Sequence, residues 1–173
     1  MSKQMKIIVS IIAILVLIIG VTAYLNRENV QEKVMLNNGA IFIVKHNGED
    51  KKSYTMEDIR SLGEIEIKAT KDTSDSDPEE LKYTGVPLIK LYEDAGVTVT
   101  EEDTIINVAA DGYTVALDGS KVVDPENVII TYMINGEAIG TREEGGSGPY
   151  LIIVAKDKFS QYWCKYALST DVQ

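Results

Sequence analysis

Residues 83–96, YTGVPLIKLYEDAG, and residues 104–117, TIINVAADGYTVAL, carry the two patterns that decide the fold. In the first, Pro87 suits the opening turn of a helix because its φ is already helical and no N–H is lost. Leu88, Leu91, Tyr92 and Ala95 follow at helical spacing, and Gly96 is the expected stop. In the second, Thr104–Ala110 reads as a strand, Asp111-Gly112 as a turn, and Tyr113–Leu117 as the returning strand.

The same two signals recur outward from this centre. Ile41–Val44 is an apolar run ended by Asn47-Gly48, which accepts the positive φ angles of a type I′ hairpin, with Lys51–Tyr54 returning. Thr55-Met56-Glu57-Asp58 resembles a capping box, opening a short helix to Leu62 that Gly63 ends. Glu64–Ala69 alternates Ile65, Ile67 and Ala69 with charged neighbours, the mark of a half-buried strand. Lys71–Glu80 is polar, acidic and interrupted by Pro78, and reads as a solvated loop. Val128–Ile134 is a strand closed by Asn135-Gly136, Glu143–Pro149 a flexible glycine-rich loop, and Leu151–Ala155 and Tyr162–Leu168 the last two strands. Many short strands with two short helices predict a single strand-rich α+β domain.

The N-terminus differs in kind. Residues 7–25 form an uncharged apolar run behind Lys3 and Lys6. At about 1.5 Å per residue it reaches about 28 Å, close to the hydrocarbon thickness of a bilayer. The chain therefore divides into a cytoplasmic 1–6, a transmembrane signal anchor at 7–25, a polar linker at 26–33 and a domain at 34–173, held outside the membrane by the positive-inside rule. Cleavage after Ala23 in Val21-Thr22-Ala23, releasing a secreted domain, is the competing reading.

Charge and composition narrow the function. All 27 acidic residues but only 15 of the 17 basic ones follow Leu25, so the exported part carries a net −12. Such acidity excludes nucleic acid as a partner, since no basic face replaces its counterions. One Cys and one His exclude an intramolecular disulfide, a Cys-rich cluster and a multi-histidine metal centre. His46, beside a hairpin turn, reads as solvated. Asp72, Asp75, Asp77, Glu79 and Glu80 supply hard oxygens but lack the central glycine and terminal glutamate of a calcium loop. Gly145–Gly148 lacks the lysine of a Walker loop, although its N–H groups could approach an anionic ligand. Cys164, alternating with Lys165, reads as a small buried apolar side chain.

Taken in order, these stretches resemble the oxidoreductase molybdopterin-binding domain family, which has the sulfite-oxidase-type fold. Tyr83–Leu88 followed by Leu91–Gly96 is similar to its "Y-x-G-V-P-L…L-L-x-x-A-G" signature. Asp111-Gly112-Tyr113 matches its "D-G-Y" turn, Asn135-Gly136-Glu137 its "N-G-e", and Gly148–Val154 its "G-P-l-R-l-v-v" strand. The resemblance implies a molybdopterin or other pterin as cofactor. Its contacts would be Thr84 and Gly85 at the helix entry, Asp111, Gly112 and Tyr113 at the turn, and Gly146, Ser147 and Gly148 in the loop. Tyr113 would stack on the heterocycle, Asp111 would bond ring nitrogens, and loop N–H groups would hold polar substituents.

Two departures matter. Catalytic members supply a cysteine thiolate to molybdenum after the strand matching Glu64–Ala69, and residues 68–82 contain no Cys. The arginine expected after Gly-Pro is Tyr150-Leu151 here. No catalytic residue and no metal ligand is therefore assigned. The expectation is a membrane-tethered, extracytoplasmic domain that binds a pterin-like molecule without molybdenum catalysis. The alternatives are a molybdopterin-dependent oxidoreductase and a protein-interaction module of an electron-transfer or sensory system.

Overall fold

A computed structural model describes residues 4–5, 8, 12, 14–18, 20–21, 40–74 and 76–173, with the side chain of Ser76 left aside. The chain forms two compact units, Met1–Met35 and Leu36–Gln173. In the first, every described residue is helical, and Ile14, Leu15, Val16 and Leu17 expose more than half of their surface. Among the described residues no helix is long and apolar enough to cross a membrane. The remaining positions of 7–25, the cleavage site at Ala23 and the linker 26–33 lie outside the described residues.

The second unit is strand-rich α+β, as the pattern predicts. Its strands are β1 (Phe42–His46), β2 (Glu49–Tyr54), β3 (Ile65–Thr73), β4 (Ser76–Pro87), β5 (Thr104–Ala109), β6 (Thr114–Asp118), β7 (Val128–Ile134), β8 (Glu137–Ala138), β9 (Leu151–Val154), β10 (Cys164–Lys165) and β11 (Ala167–Val172). Between them lie helices α1 (Met56–Ser61), α2 (Leu88–Asp94) and α3 (Gly119–Val122), and a 3-10 turn at Ser160–Tyr162. One sheet runs β2-β1-β11-β5-β6; the other runs β10-β9-β7-β4-β3, with β8 paired to β7.

The local signals act as read. Asn47 and Gly48 take φ of 53° and 82°, and Asn135 and Gly136 take 52° and 83°, the left-handed pairs that a tight hairpin demands. Thr55 and Asp58 close the capping box, with Asp58 N–H bonding Thr55 Oγ1 at 3.2 Å and Thr55 N–H bonding Asp58 Oδ2 at 2.8 Å. Gly96 ends α2 at φ 70°.

Three expectations are corrected. Residues 71–80 are mostly strand, because β3 and β4 run on as a hairpin from Ile65 opposite Gly85 to Thr73 opposite Ser76. Cross-strand pairs Lys68–Glu80 at 2.9 Å and Lys82–Glu66 at 2.8 Å flank it, so polar composition here marks an exposed ribbon. Residues 162–168 are not one strand: Tyr166 sits at φ 57° and splits β10 from β11. Alternation therefore fails across it, and Cys164 is buried while Leu168 is 46% exposed. Finally, α3 adds a third short helix.

The core is rich in tyrosine. Tyr54, Tyr92, Tyr132 and Tyr150 are fully buried, and each hydroxyl has a partner. Tyr54 donates to the Leu91 carbonyl at 2.9 Å, Tyr132 to Glu64 at 2.6 Å and Tyr150 to the Ala40 carbonyl at 3.0 Å. Tyr92 Oη lies 2.6 Å from Thr170 Oγ1. Satisfied hydroxyls let rings of this size contribute their apolar area without a stranded donor.

Gly85 marks the tightest strand contact, where the register between β4 and β7 slips at Thr84/Gly85. A Cβ there would collide with the Ile130 carbonyl oxygen and approach Thr131 Cα to 2.7 Å. Backbone atoms cannot give way cheaply, so Gly85→Ala should lower stability by about 1–3 kcal/mol or more. Urea unfolding followed by circular dichroism measures it.

Candidate functional site

The β5–β6 turn is built by Asp111, whose carboxylate accepts the Tyr113 N–H at 3.1 Å, and by Gly112 at φ 83°. This leaves the Tyr113 ring half exposed, with its hydroxyl 3.3 Å from the Gln161 carbonyl that accepts from it. Tyr166 then ties the turn to the glycine-rich loop. Its N–H donates to the Ser147 carbonyl at 2.9 Å and its carbonyl accepts from Ala110 N–H at 2.9 Å. The left-handed backbone of Tyr166 lets one residue serve both sides.

Tyr166 thus brings Ser147 of the loop and the Ala110–Tyr113 turn to one place. Two further groups join them. Arg142 Nη1 lies 3.8 Å from Asp111 Oδ2, and its guanidinium carbon lies 5.6 Å from the centre of the Tyr166 ring. Sequence reading passed over both residues. The available signal was a lone cation in an acidic, glycine-rich loop that lacks the expected arginine after Gly-Pro.

The loop itself corrects an expectation. Glu144 and Gly146 N–H donate to the Thr141 carbonyl at 3.1 and 2.8 Å, Gly145 to Arg142 at 3.0 Å, and Gly148 to Gly140 at 2.9 Å. These donors are spent inside the loop, so Gly146 and Gly148 do not offer N–H groups to an anion. Their glycines serve packing instead: a Cβ on Gly146 would strike the Gly140 carbonyl, and one on Gly148 would meet the Ile139 carbonyl oxygen at 2.7 Å.

Thr84 and Gly85 do not join the cluster. One register row runs from Gly85 to Thr131, Leu151 and Lys165. Three strand spacings, about 14 Å, therefore separate Gly85 from β10. Thr84 is buried in the interior of its sheet. His46 is exposed at the end of β1. Of the acidic run, Asp75 lies outside the described residues and Glu80 pairs with Lys68. No group of three His, Cys, Asp or Glu side chains is placed to hold a metal among the described residues. The clefts elsewhere have other linings: one of about 690 Å³ by Ile65, Ile67, Pro87, Pro125 and Ala155, another of about 450 Å³ by Asp72, Phe159 and Gln161.

Cys164 is fully buried opposite Ile152. Burial pushes its thiol up to about 12, and the negative charge of Asp111 adds to the shift. A metal-ligating thiolate needs the opposite environment. The residues present therefore do not fit a molybdenum–thiolate centre, and no redox step is assigned to them.

No sequence-family model matches the chain, and no curated protein matches its sequence. Among solved structures it is similar to the sulfane dehydrogenase SoxCD from Paracoccus pantotrophus, with a TM-score of 0.64 at 18% identity. The match covers 79% of this chain but only 38% of the SoxCD chain, well short of that protein's length. At this identity the likeness establishes a distant relationship of fold.

The thiol yields a signed prediction. Its ordinary value is 9.0, so between pH 9 and about 12 the unfolded chain binds fewer protons than the folded one. Stability should fall with rising pH there, by up to about 1.4 kcal/mol per pH unit from this group. Tyr83, which burial also pushes to about 12, contributes in the same direction, so the comparison is made against Cys164→Ala. That variant should show a flatter decline from pH 9 to 10 in denaturant titrations. Native Cys164 should also resist Ellman's reagent until the domain unfolds.

Proposed function

We propose that the second unit is a non-catalytic binding module for a flat, pterin-like heterocycle, seated where Asp111, Tyr113, Arg142 and Tyr166 converge. The observation that carries this reading is Arg142, set between the Asp111 carboxylate and the ring of the left-handed Tyr166, whose carbonyl is bonded to the β5–β6 turn that carries Tyr113. The half-exposed Tyr113 ring offers a stacking face. Asp111 accepts from ring N–H and amino groups, and Arg142 donates to a ring carbonyl. The N–H groups of Gly146 and Gly148 have no part, which narrows the contacts drawn from the family resemblance. The fold relationship to a dehydrogenase points the same way as that resemblance. The molybdopterin-dependent oxidoreductase is the weaker reading, because the only thiol is buried and held in its protonated form.

In the same proposal residues 7–25 anchor the chain, with the N-terminus cytoplasmic and the domain outside. Alkaline carbonate extraction should leave the protein in the membrane pellet, and external protease should degrade the domain in intact cells. Recovery in the supernatant with a new N-terminus at Tyr24 would establish cleavage after Ala23 instead.

Binding is checked by thermal shift with pterin itself. A ligand at 100 times its Kd stabilises by about 2.7 kcal/mol. Tyr113→Ala and Arg142→Ala should each remove the shift; the unliganded melting point should stay close to wild type for the exposed Arg142 and fall only modestly for the half-exposed Tyr113. A shift that survives both substitutions, or none with the wild type at millimolar pterin, would sink the assignment.

A further inference from the structure

We propose that β3 is a pairing edge through which two copies of this chain associate, antiparallel about a two-fold axis at Ile67. β3 is the outer strand of its sheet. Which of its backbone groups face outward follows from its neighbours. Lys82 donates its N–H to Asn135 Oδ1 at 3.1 Å and accepts Asn135 N–H at 2.7 Å, so it turns away from β3. Its register partner Lys68 must then turn away from β4, and by the period of two Glu66 does the same. Further along, Ser160 Oγ already occupies this edge, accepting from Asp72 N–H at 2.9 Å and lying 3.4 Å from the Thr70 carbonyl. Among the described residues, the 3-10 turn therefore closes the edge beyond Ala69 and leaves a short window from Ile65 to Ala69.

That window is complementary to itself. Antiparallel pairing about Ile67 sets Glu66 against the partner's Lys68 and Lys68 against the partner's Glu66. Both are outward-facing residues, so each pair exchanges two main-chain hydrogen bonds. On the side-chain level, each carboxylate of Glu66 then lies between Lys82 of its own subunit and the partner's Lys68. Each Lys68 lies between Glu80 and the partner's Glu66, extending the ion pairs that flank the hairpin. On the opposite face Ile67 meets the partner's Ile67, and Ile65 meets the partner's Ala69. Ile65 and Ile67 are only half buried in the single chain and border the 690 Å³ cleft. A two-fold interface needs a self-matching patch of this kind. β2, an outer strand of the other sheet, is charged at every position from Glu49 to Lys52 and offers no such apolar contact.

Disulfide trapping in the full chain, solubilised in detergent at physiological salt, tests the pairing. In a non-hydrogen-bonded antiparallel pair the two residues have Cα atoms about 4.5 Å apart, within disulfide reach. Ile67→Cys should give a covalent dimer under mild copper–phenanthroline oxidation, with Cys164 buried and silent. Glu57→Cys, exposed on α1, is the control and should stay monomeric. Adding Lys68→Glu to Ile67→Cys sets carboxylate against carboxylate and should cut the dimer yield several-fold. Restoring complementarity with Glu66→Lys in that background should recover it, which separates pairing from a folding defect. A monomer from Ile67→Cys overturns the proposal. So does equal trapping from Glu57→Cys, or a yield that ignores the charge reversal.

Discussion

The last strand, β11, is the constraint on which the rest of the second unit depends. It enters its sheet between β1 and β5, parallel to the first and antiparallel to the second. Without it β1 and β2 would be a lone hairpin, which is marginal in water. Its entry is set by two adjacent hydrogen bonds, Tyr166 N–H to Ser147 at 2.9 Å and Ala167 N–H to Tyr150 at 3.0 Å. The first of them, with the Ala110 N–H bond to the Tyr166 carbonyl at 2.9 Å, holds the glycine-rich loop against the β5–β6 turn. The strand that closes the sheet therefore also anchors the candidate site, although the paired residues Val44 and Thr170 lie near opposite ends of the sequence.

Placing β11 at the centre obliges it to bury polar side chains. Thr170 is fully buried against Tyr92 Oη, and Asp171 accepts Gly48 N–H with both oxygens, at 3.2 and 3.0 Å. Buried polar groups cost stability unless partnered. Thr170 and Asp171 find partners in a core tyrosine and the first hairpin turn. Asn107, opposite Thr170 on β5, is instead buried with neither side-chain atom hydrogen-bonded among the described residues. Tyr54, Tyr132 and Tyr150 follow the same rule, and Tyr83 adds its ring edge-on to Trp163, so an acidic domain with few phenylalanines still has a large aromatic core. Burial has a chemical consequence too. It keeps Cys164 protonated, and so separates the polar cluster at Asp111 and Arg142 from thiolate chemistry close by.

Much of the architecture was legible in short-range patterns. Asn47-Gly48, Asn135-Gly136, the capping box at Thr55–Asp58 and the stop at Gly96 each rest on two to four neighbouring residues, and each forms as read. Reading failed where the deciding partner is remote. Lys71–Glu80 looks like a loop because its residues are polar, yet the ribbon is held by pairing across β3 and β4. Residues 162–168 look like one strand because their alternation is regular, yet Tyr166 breaks it to meet Ser147 and Ala110. Within the site, Asp111, Gly112 and Tyr113 were visible as a turn. Arg142 and Tyr166 were not, since nothing local ties a cation in one loop to a ring some two dozen residues later.

The sequence by itself determined most of the elements with their turns and caps, the acidity of the chain beyond Leu25, and the absence of a cysteine from residues 68–82. These are properties of adjacent residues and of composition, so no partner is needed to establish them. Only the tertiary structure decided that the Gly146 and Gly148 N–H groups are spent on carbonyls of the loop and that Gly85 belongs to strand packing rather than to a site. It alone placed Tyr166 as the joint between turn and loop. Each of these depends on which backbone groups meet across a sheet, and hydrogen-bond capacity, once used inside the fold, is no longer available to a ligand.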